Sequence, residues 1–340
     1  MVLNKISLFF QKYSRREFWP GYIVDIPVYF YRAYLSLRSG SLVFFSNINP
    51  SMFFSGFTGY GKHSDAERFE SNLLPKMFLV GGNESRENIE KKMLEGNIIY
   101  PCIAKPTLGR TGRDVKKIHN EQELKKYMLN AEEDILIQEF INNDLEFGIF
   151  YYRMPGEEKG HITGIVEKKF MFINGNGKDT FEKLIYNHPR AKYYYYNLKK
   201  DHESEWEKIV EEGKKIQLNY LGNHCRGSTF FDVSHLINSE LESTIDKISK
   251  SDNEFYFGRY DIKVNSVEDL IKGNFKIIEL NGVGSLPTHI YDPKHSLRHA
   301  YKVLFQHRKI AYRISQANYK RGHKYIGLKK AIEIVKKYGI

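Results

Sequence analysis

The chain has 340 residues, 41% of them hydrophobic and spread along its whole length, which is the composition of a packed globular protein rather than a disordered one. Two cysteines, Cys102 and Cys225, cannot make a disulfide framework and have no neighbours at metal-ligand spacing. The net charge of +11 suits nucleic acid, an anionic membrane surface, an anionic ligand or a merely wet lysine-rich surface, and does not choose among them.

No apolar run reaches the ~20 residues of a spanning helix. The opening MVLNKISLFF runs into QKYSRREFWP without a small-residue cleavage site, so no secretory signal is expected and cytoplasmic residence is the default. Residues 18–42 are aromatic and apolar, broken by Arg32 and Arg38, and the part after Pro27 reads as a helix. That segment either docks on the main domain, the reading preferred here, or lies at a membrane interface with its rings at the water boundary.

Mixed helix and strand follow. A helix is expected from Ser64, with Glu67 as its capping-box partner, then a strand at MFLV and a helix over 83–96 stopped by Gly96. IIYPCIAKP is a strand entering a loop with Gly109 and Gly112; EQELKKYMLN is a helix and DILIQEFI a strand. Strands are expected again at GIFYYRM, HITGIVEKKFMFI, FYFGRYDIKV and FKIIELN, with helices over 205–221 and 239–249. From about residue 296 the chain reads as helical and basic, with Ile326, Ala331, Ile334 and Val335 on one face and lysines opposite.

Alternate residues of a strand share a face. Glu279 and Asn281 therefore point one way, as do Arg259 and Asp261. If the two strands are neighbours, Asp261, Glu279 and Asn281 form an oxygen site for Mg²⁺ with an arginine beside it. Lys105, at a strand end before glycines, suits phosphate, although no P-loop pattern is present. Glu139 and Glu146 flank a strand and turn, where they could accept from a nucleotide or be solvated.

The succession of these motifs, from about residue 55 to 300, resembles the ATP-grasp superfamily. Within it, the resemblance is to the branch of D-alanine–D-alanine ligase and the cyanophycin-synthetase-like amide ligases. GYGKHSDAERF matches the early lysine at Lys62, IAKPTLGRTG the lysine before a flexible lid at Lys105, and QEFINNDLE the hinge with Glu139 and, seven residues on, Glu146. FINGNGKDTFEKLI is similar to a GDGK-containing segment of that branch, and the Arg-x-Asp and Glu-x-Asn strands complete the order.

The resemblance implies an α+β ATP-grasp fold of two subdomains clasping ATP, with a short helical aromatic segment in place of a full Rossmann-like domain. Its expected parts are 1–60, 61–141, 142–308 and a basic helical tail over 309–340. It implies nucleotide contacts from Lys62, Lys105, Gly109, Gly112, Gln138, Glu139, Phe140, Ile141, Glu146 and Lys168 or Lys169. Metal ligation falls to Asp261, Glu279 and Asn281, for two Mg²⁺ ions or Mn²⁺ in their place. Arg259, Lys105 and Arg226 are the candidate catalytic groups. GNHCRGSTFFD places His224 and Arg226 near the acceptor or phosphate, the alternative for His224 being a hydrogen-bonded turn residue. The implied activity is ATP-dependent ligation of a small-molecule carboxylate to an amine through an acylphosphate. The alternatives are an ATP-binding or membrane-surface adaptor that does not ligate, and a kinase. No specific nucleic acid is expected, and a homodimer is left open.

Overall fold

The computed structural model describes residues 5–58, 68–81, 84–107, 114–131 and 133–338. Lys62, the start of the helix expected from Ser64, and the lid glycines Gly109 and Gly112 lie outside the described residues. Where the tail of that helix is described it is a short 3-10 turn, Ser71–Leu73. Leu74 is extended, as a residue before proline tends to be.

The N-terminal part is helical: α1 (Lys5–Tyr13), α2 (Gly21–Val24) and α3 (Ile26–Ser39). Pro27 sits in the first turn of α3, where its missing N–H costs nothing, and Gly40 closes the helix in the left-handed conformation.

A first antiparallel sheet contains β1 (Met77–Val80), β2 (Cys102–Pro106), β3 (Lys116–Ile118) and β4 (Ile135–Glu139) in the order β1-β4-β2-β3. Helices α4 (Arg86–Glu95) and α5 (Glu121–Leu129) cover one face, burying Ile89, Met93, Leu124 and Tyr127 against Val80, Ala104, Ile118 and Ile137. Both helices start on a side-chain cap, Ser85 accepting from the Asn88 N–H and Asn120 from the Glu123 N–H.

The larger sheet begins with β5 (Leu145–Arg153) and β6 (Gly160–Lys169). The chain then leaves it for a small lobe of β7 (Phe172–Asn174), α6 (Phe181–Asn187), α7 (Tyr195–Asp201) and β8 (Lys215–Gln217). It returns through β9 (Thr229–Asp232), α8 (Ser239–Lys250), β10 (Phe257–Val264), α9 (Val267–Lys272) and β11 (Lys276–Asn281). The sheet order is β11-β10-β5-β6-β9, every pair antiparallel. On one face Phe147, Ile149, Tyr151, Ile165, Tyr260 and Ile262 pack against Leu241 and Ile245 of α8 and Leu270 of α9. The period-2 alternation then sends Glu146, Lys168, Asp261 and Lys263 to the other face.

The helix expected over 205–221 is not there. Trp206 and Val210 are buried in the small lobe, the Ile209 backbone bridges Thr180, and β8 pairs with β7. Tertiary pairing overrides the helix-favouring Glu and Lys of this stretch, and Gly213 turns the chain at φ +76°.

Two C-terminal helices, α10 (Leu297–Lys320) and α11 (Leu328–Tyr338), close the molecule. α10 buries Ile310, Ala311 and Ile314 against Phe150 and Phe257; α11 buries Ala331 and Ile334 against Val43 and Phe54. The aromatic N-terminus docks by its inner face, Val28 joining Ala300, Val303 and Leu304 of α10. The buried Asn49 accepts from the Tyr256 and Phe257 N–H groups, both at 2.9 Å, and donates to the Phe257 carbonyl at 2.8 Å, pinning the start of β10. Among the described residues no helix is long and apolar enough to cross a membrane.

Candidate active site

The two sheets face a common cleft of about 760 Å³. β2 and β4 supply Lys105, Gln138 and Glu139 from one side; β5, β6, β10 and β11 supply Glu146, Lys168, Arg259, Asp261, Glu279 and Asn281 from the other. Phe140 and Ile141 line the join between them.

β10 and β11 are indeed neighbours. Arg259 lies opposite Asn281 and Asp261 opposite Glu279. Asp261, only 3% exposed, is held by both cations near it: Arg259 Nε donates to Oδ1 at 2.9 Å, and Lys168 Nζ lies 3.0 Å from the same oxygen. Its Oδ2 accepts from Arg259 at 3.1 Å and from the Asn281 amide at 3.3 Å. Burial pushes the Asp261 carboxyl up, but Arg259 and Lys168 outweigh it and bring it down to about 2. Lys168 Nζ also donates to Glu146 Oε1 at 2.9 Å. Lys169 points away and pairs with Glu167 outside the cleft, so of the two candidate lysines Lys168 is the one that faces it.

Two glycines make room for this network. A Cβ on Gly148 would come within 3.3 Å of both Arg259 and Asp261, and one on Gly222 would overlap the Glu146 carboxylate. Gly222 thus lets the loop over 220–225 lie directly on the ion pair.

On the facing sheet Lys105 Nζ donates to Gln138 Oε1 at 2.6 Å, and Glu139 accepts from the Lys76 N–H at 2.9 Å. Lys263 is a member that the sequence reading missed. It follows Arg259 and Asp261 in the same alternation, donates to the Ile141 carbonyl at 3.1 Å and lies 5.5 Å from the Phe140 ring. Burial and the nearby Lys168 lower its pKa, with Glu146 opposing.

Arg226 is set apart from the rest. It does not line the cleft, and its guanidinium is 3.8 Å from Asp201. The arginine at that end is Arg190, which donates to Glu17 Oε2 at 2.6 Å and to the carbonyls of Gly227 and Ser228 at 2.7 and 3.0 Å. His224 lines the cleft 3.2 Å from the same Glu17 oxygen and stacks on Tyr291. Burial lowers its pKa and Glu17 opposes the shift. No local spacing announces a partner 173 residues away, which is why Glu17 and Arg190 escaped the sequence reading.

A second polar cluster, Asp232 with His295 and His299, holds one ligand-type atom of each within 4.8 Å. His295 spends its Nε2 on Asp232 at 2.6 Å, and the two imidazoles stack at 3.8 Å, the geometry of a hydrogen-bonded pair under a stacked ring.

No protein-family model matches the chain. A curated relative, the formate-dependent phosphoribosylglycinamide formyltransferase of Sulfurisphaera tokodaii, is 23% identical over 155 residues, 44% of this chain and 34% of that protein. The matched stretch therefore spans about a third of that relative's length. Among solved structures, the D-alanine–D-alanine ligase of Bacillus anthracis complexed with ATP aligns at TM-score 0.42 and 14% identity, over 76% of this chain and 65% of the ligase. A bifunctional glutathione synthetase of Pasteurella multocida aligns at TM-score 0.35 and 12% identity, over 72% of this chain and 36% of the synthetase. Likenesses at this level carry no residue-by-residue correspondence. The chain is thus similar, over part of its length, to a formyltransferase, a D-alanine–D-alanine ligase and a glutathione synthetase.

Proposed function

We propose that the protein is an ATP-dependent ligase that activates a carboxylate by phosphorylation and passes the acyl group to an amine. The supporting observation is the convergence of Lys105, Lys168, Arg259, Asp261, Glu279 and Asn281 on one cleft between two sheets.

Asp261, Glu279 and Asn281 offer the oxygen donors that a hard divalent cation takes, side by side across two paired strands. By type the donor set suits Mg²⁺, but the lone pairs of Asp261 already accept from Arg259 twice, from Lys168 and from the Asn281 amide, so a metal would take its place there by displacing one of these donors. Mg²⁺ would supply charge neutralisation across the phosphates. Lys105 and Lys168 add positive charge from opposite walls. The hinge run Gln138, Glu139, Phe140 and Ile141 borders the adenine, with Glu146 toward the ribose. Arg259 is fixed by Asp261 through Nε and Nη2 and by the Leu286 carbonyl, which Nη1 meets at 3.1 Å. Its remaining N–H groups would stabilise charge that develops on the transferring phosphoryl group.

In the first step a carboxylate oxygen bonds to the γ-phosphorus as its bond to the bridging oxygen breaks, releasing ADP. In the second an amine nitrogen bonds to the acyl carbon and the C–O bond to phosphate breaks. The amine proton leaves to solvent or to the departing phosphate.

The test is ADP release by the purified protein with Mg-ATP and mixtures of carboxylates and amines. Asp261→Asn is expected to abolish that release while ATP binding partly survives. Normal turnover in this variant would remove the assignment of Asp261 to the site. A wild-type protein that binds ATP but releases no ADP with any mixture would favour a non-ligating role.

A further inference from the structure

α3 is apolar on two faces. Its inner face, Val28 and Leu35, is buried, and Val28 packs on α10. Its outer face carries Ile26, Tyr29, Phe30, Ala33, Tyr34 and Leu37 at spacings of three and four, a stripe that α2 extends with Tyr22 and Ile23. Phe30 is 75% exposed, Leu37 80% and Leu42, just beyond the helix, 65%. From Tyr22 to Leu37 the stripe runs about 22 Å at helical rise. Nothing in the chain covers it among the described residues, and a contiguous apolar patch of this kind marks an interaction surface.

The charges around the stripe have one sign. Arg32 and Arg38 lie on α3 itself, whereas Lys12, Arg15 and Arg16 are held at Tyr194, Tyr193 and the Ile290 and Asp292 carbonyls, away from the stripe. The acids of residues 7–58 are Glu17 and Asp25. Glu17 is buried on Arg190, and Asp25 is half-buried between Arg32 and Arg308. Burial lowers the pKa of both guanidiniums, Arg32 lowers that of Arg308 further, and Asp25 opposes the shift of each. α10 runs alongside α3, with Tyr31 against Phe305 at 5.2 Å and Arg38 over the Tyr312 ring at 5.8 Å. It contains no acidic residue over its 24 positions. Arg298, Lys302, Lys309 and Arg313 recur along it at spacings of four and seven, so they form one exposed flank beside the line that meets α3.

An aromatic apolar stripe bordered by cations is the chemistry of a helix lying in a bilayer interface, with rings at headgroup level and basic side chains on lipid phosphates. RNA would satisfy the cations and leave the stripe wet. A second copy of this chain would bring the two cationic flanks together. We propose that α2 and α3, with the basic flank of α10, seat the protein peripherally on an anionic phospholipid surface. The same segment forms a wall of the cleft through Trp19, Pro20 and Gly21. The docked face therefore adjoins the mouth of the site, and this proposal stands whether or not the site ligates.

Co-sedimentation of the full chain with vesicles tests it. The protein is expected to pellet with phosphatidylcholine–phosphatidylglycerol vesicles, less with phosphatidylcholine alone, and to be released by salt. Phe30→Ser/Leu37→Ser should weaken binding by roughly tenfold or more, and Lys302→Glu/Lys309→Glu should weaken it on anionic vesicles while unfolding at the same urea midpoint as wild type. A protein that stays in the supernatant with anionic vesicles overturns the proposal. So does binding that both double variants retain, or a dimer in solution that Phe30→Ser/Leu37→Ser dissociates in a protein that ignores vesicles.

Discussion

Lys168 Nζ lies 3.0 Å from Asp261 and 2.9 Å from Glu146, so one buried ammonium ties together carboxylates from two adjacent strands. With Arg259 on Asp261 the group has two cations and two anions, of which Glu146, Lys168 and Asp261 are buried. Such a network costs desolvation and is strongly destabilising to break, which suits a site built for charge rather than a device for stability.

The acid limb of stability should carry the Asp261 signature. Its carboxyl is lowered from 3.8 to about 2 in the folded protein. A carboxyl held below its unfolded value stabilises the fold above that value and loses the contribution as pH falls through the folded one. About 2 kcal/mol is therefore expected to disappear between roughly pH 4 and pH 2. Urea midpoints measured across that window should fall more steeply for wild type than for Asp261→Asn. Parallel curves would mean that Asp261 is not held ionised by its neighbours.

Glu17 anchors the N-terminal segment to the small lobe through Arg190, both being buried. Glu17→Gln leaves the guanidinium with its two carbonyl acceptors but no compensating charge, and should cost about 3 kcal/mol. The loss is expected in the urea midpoint, with faster proteolysis near residues 14–20. Because Glu17 raises the His224 pKa against burial, the same variant should move that histidine's titration to still lower pH, readable by NMR. An unchanged midpoint would reduce the pair to an ordinary surface contact.

Much of this site could be read from strand alternation. Arg259 with Asp261 and Glu279 with Asn281 share a face because of period two, and the pairing of β10 with β11 that unites them is a short antiparallel return. Carrying the same alternation one step further would have found Lys263. The stretch over 205–221 was misread because its Glu and Lys favour helix locally, whereas Trp206 and Val210 are claimed by a core to which distant residues contribute. Glu17 and Arg190 were invisible for a related reason, since their contact is set by how the N-terminus docks. The two apolar faces of α3 were legible as composition, but only the packing on α10 tells which of them is covered.

Two buried histidines, His289 in the turn before α10 and His307 within α10, should make the protein sensitive to mild acid. Burial takes His289 down to about 4 and His307 to about 3, and His307 sits edge-on to Phe150 at 4.4 Å with its Nδ1 buried and without a hydrogen-bond partner. Both stay neutral in the fold and protonate on unfolding, so stability is complete above about pH 6.5 and falls as pH drops toward their folded values. Each contributes a slope of about 1.4 kcal/mol per pH unit. His307→Leu should remove one proton's worth of that slope between pH 6 and 4.5, read from urea unfolding at stepped pH. An unaltered slope would show that His307 is already solvated.

Gly222 tests whether the loop over the ion pair is a wall of the nucleotide site. In Gly222→Ala the new methyl would overlap the Glu146 carboxylate and stand 2.7 Å from Lys168 Cδ, so either the loop lifts or the pair shifts. Overpacking of this kind costs about 1–3 kcal/mol. If the loop helps to enclose the ribose, ADP affinity should also drop by roughly tenfold, a change of about 1.4 kcal/mol. Glu146→Asp shortens the group that the methyl meets, so the double variant should recover part of the lost stability relative to the sum of the singles. If Glu146 meets the ribose as proposed, ADP affinity should not recover, because the shortened carboxylate would sit too far back. Recovery of both would mean that Glu146 only props the loop, and normal ADP binding by Gly222→Ala alone would place the nucleotide elsewhere in the cleft.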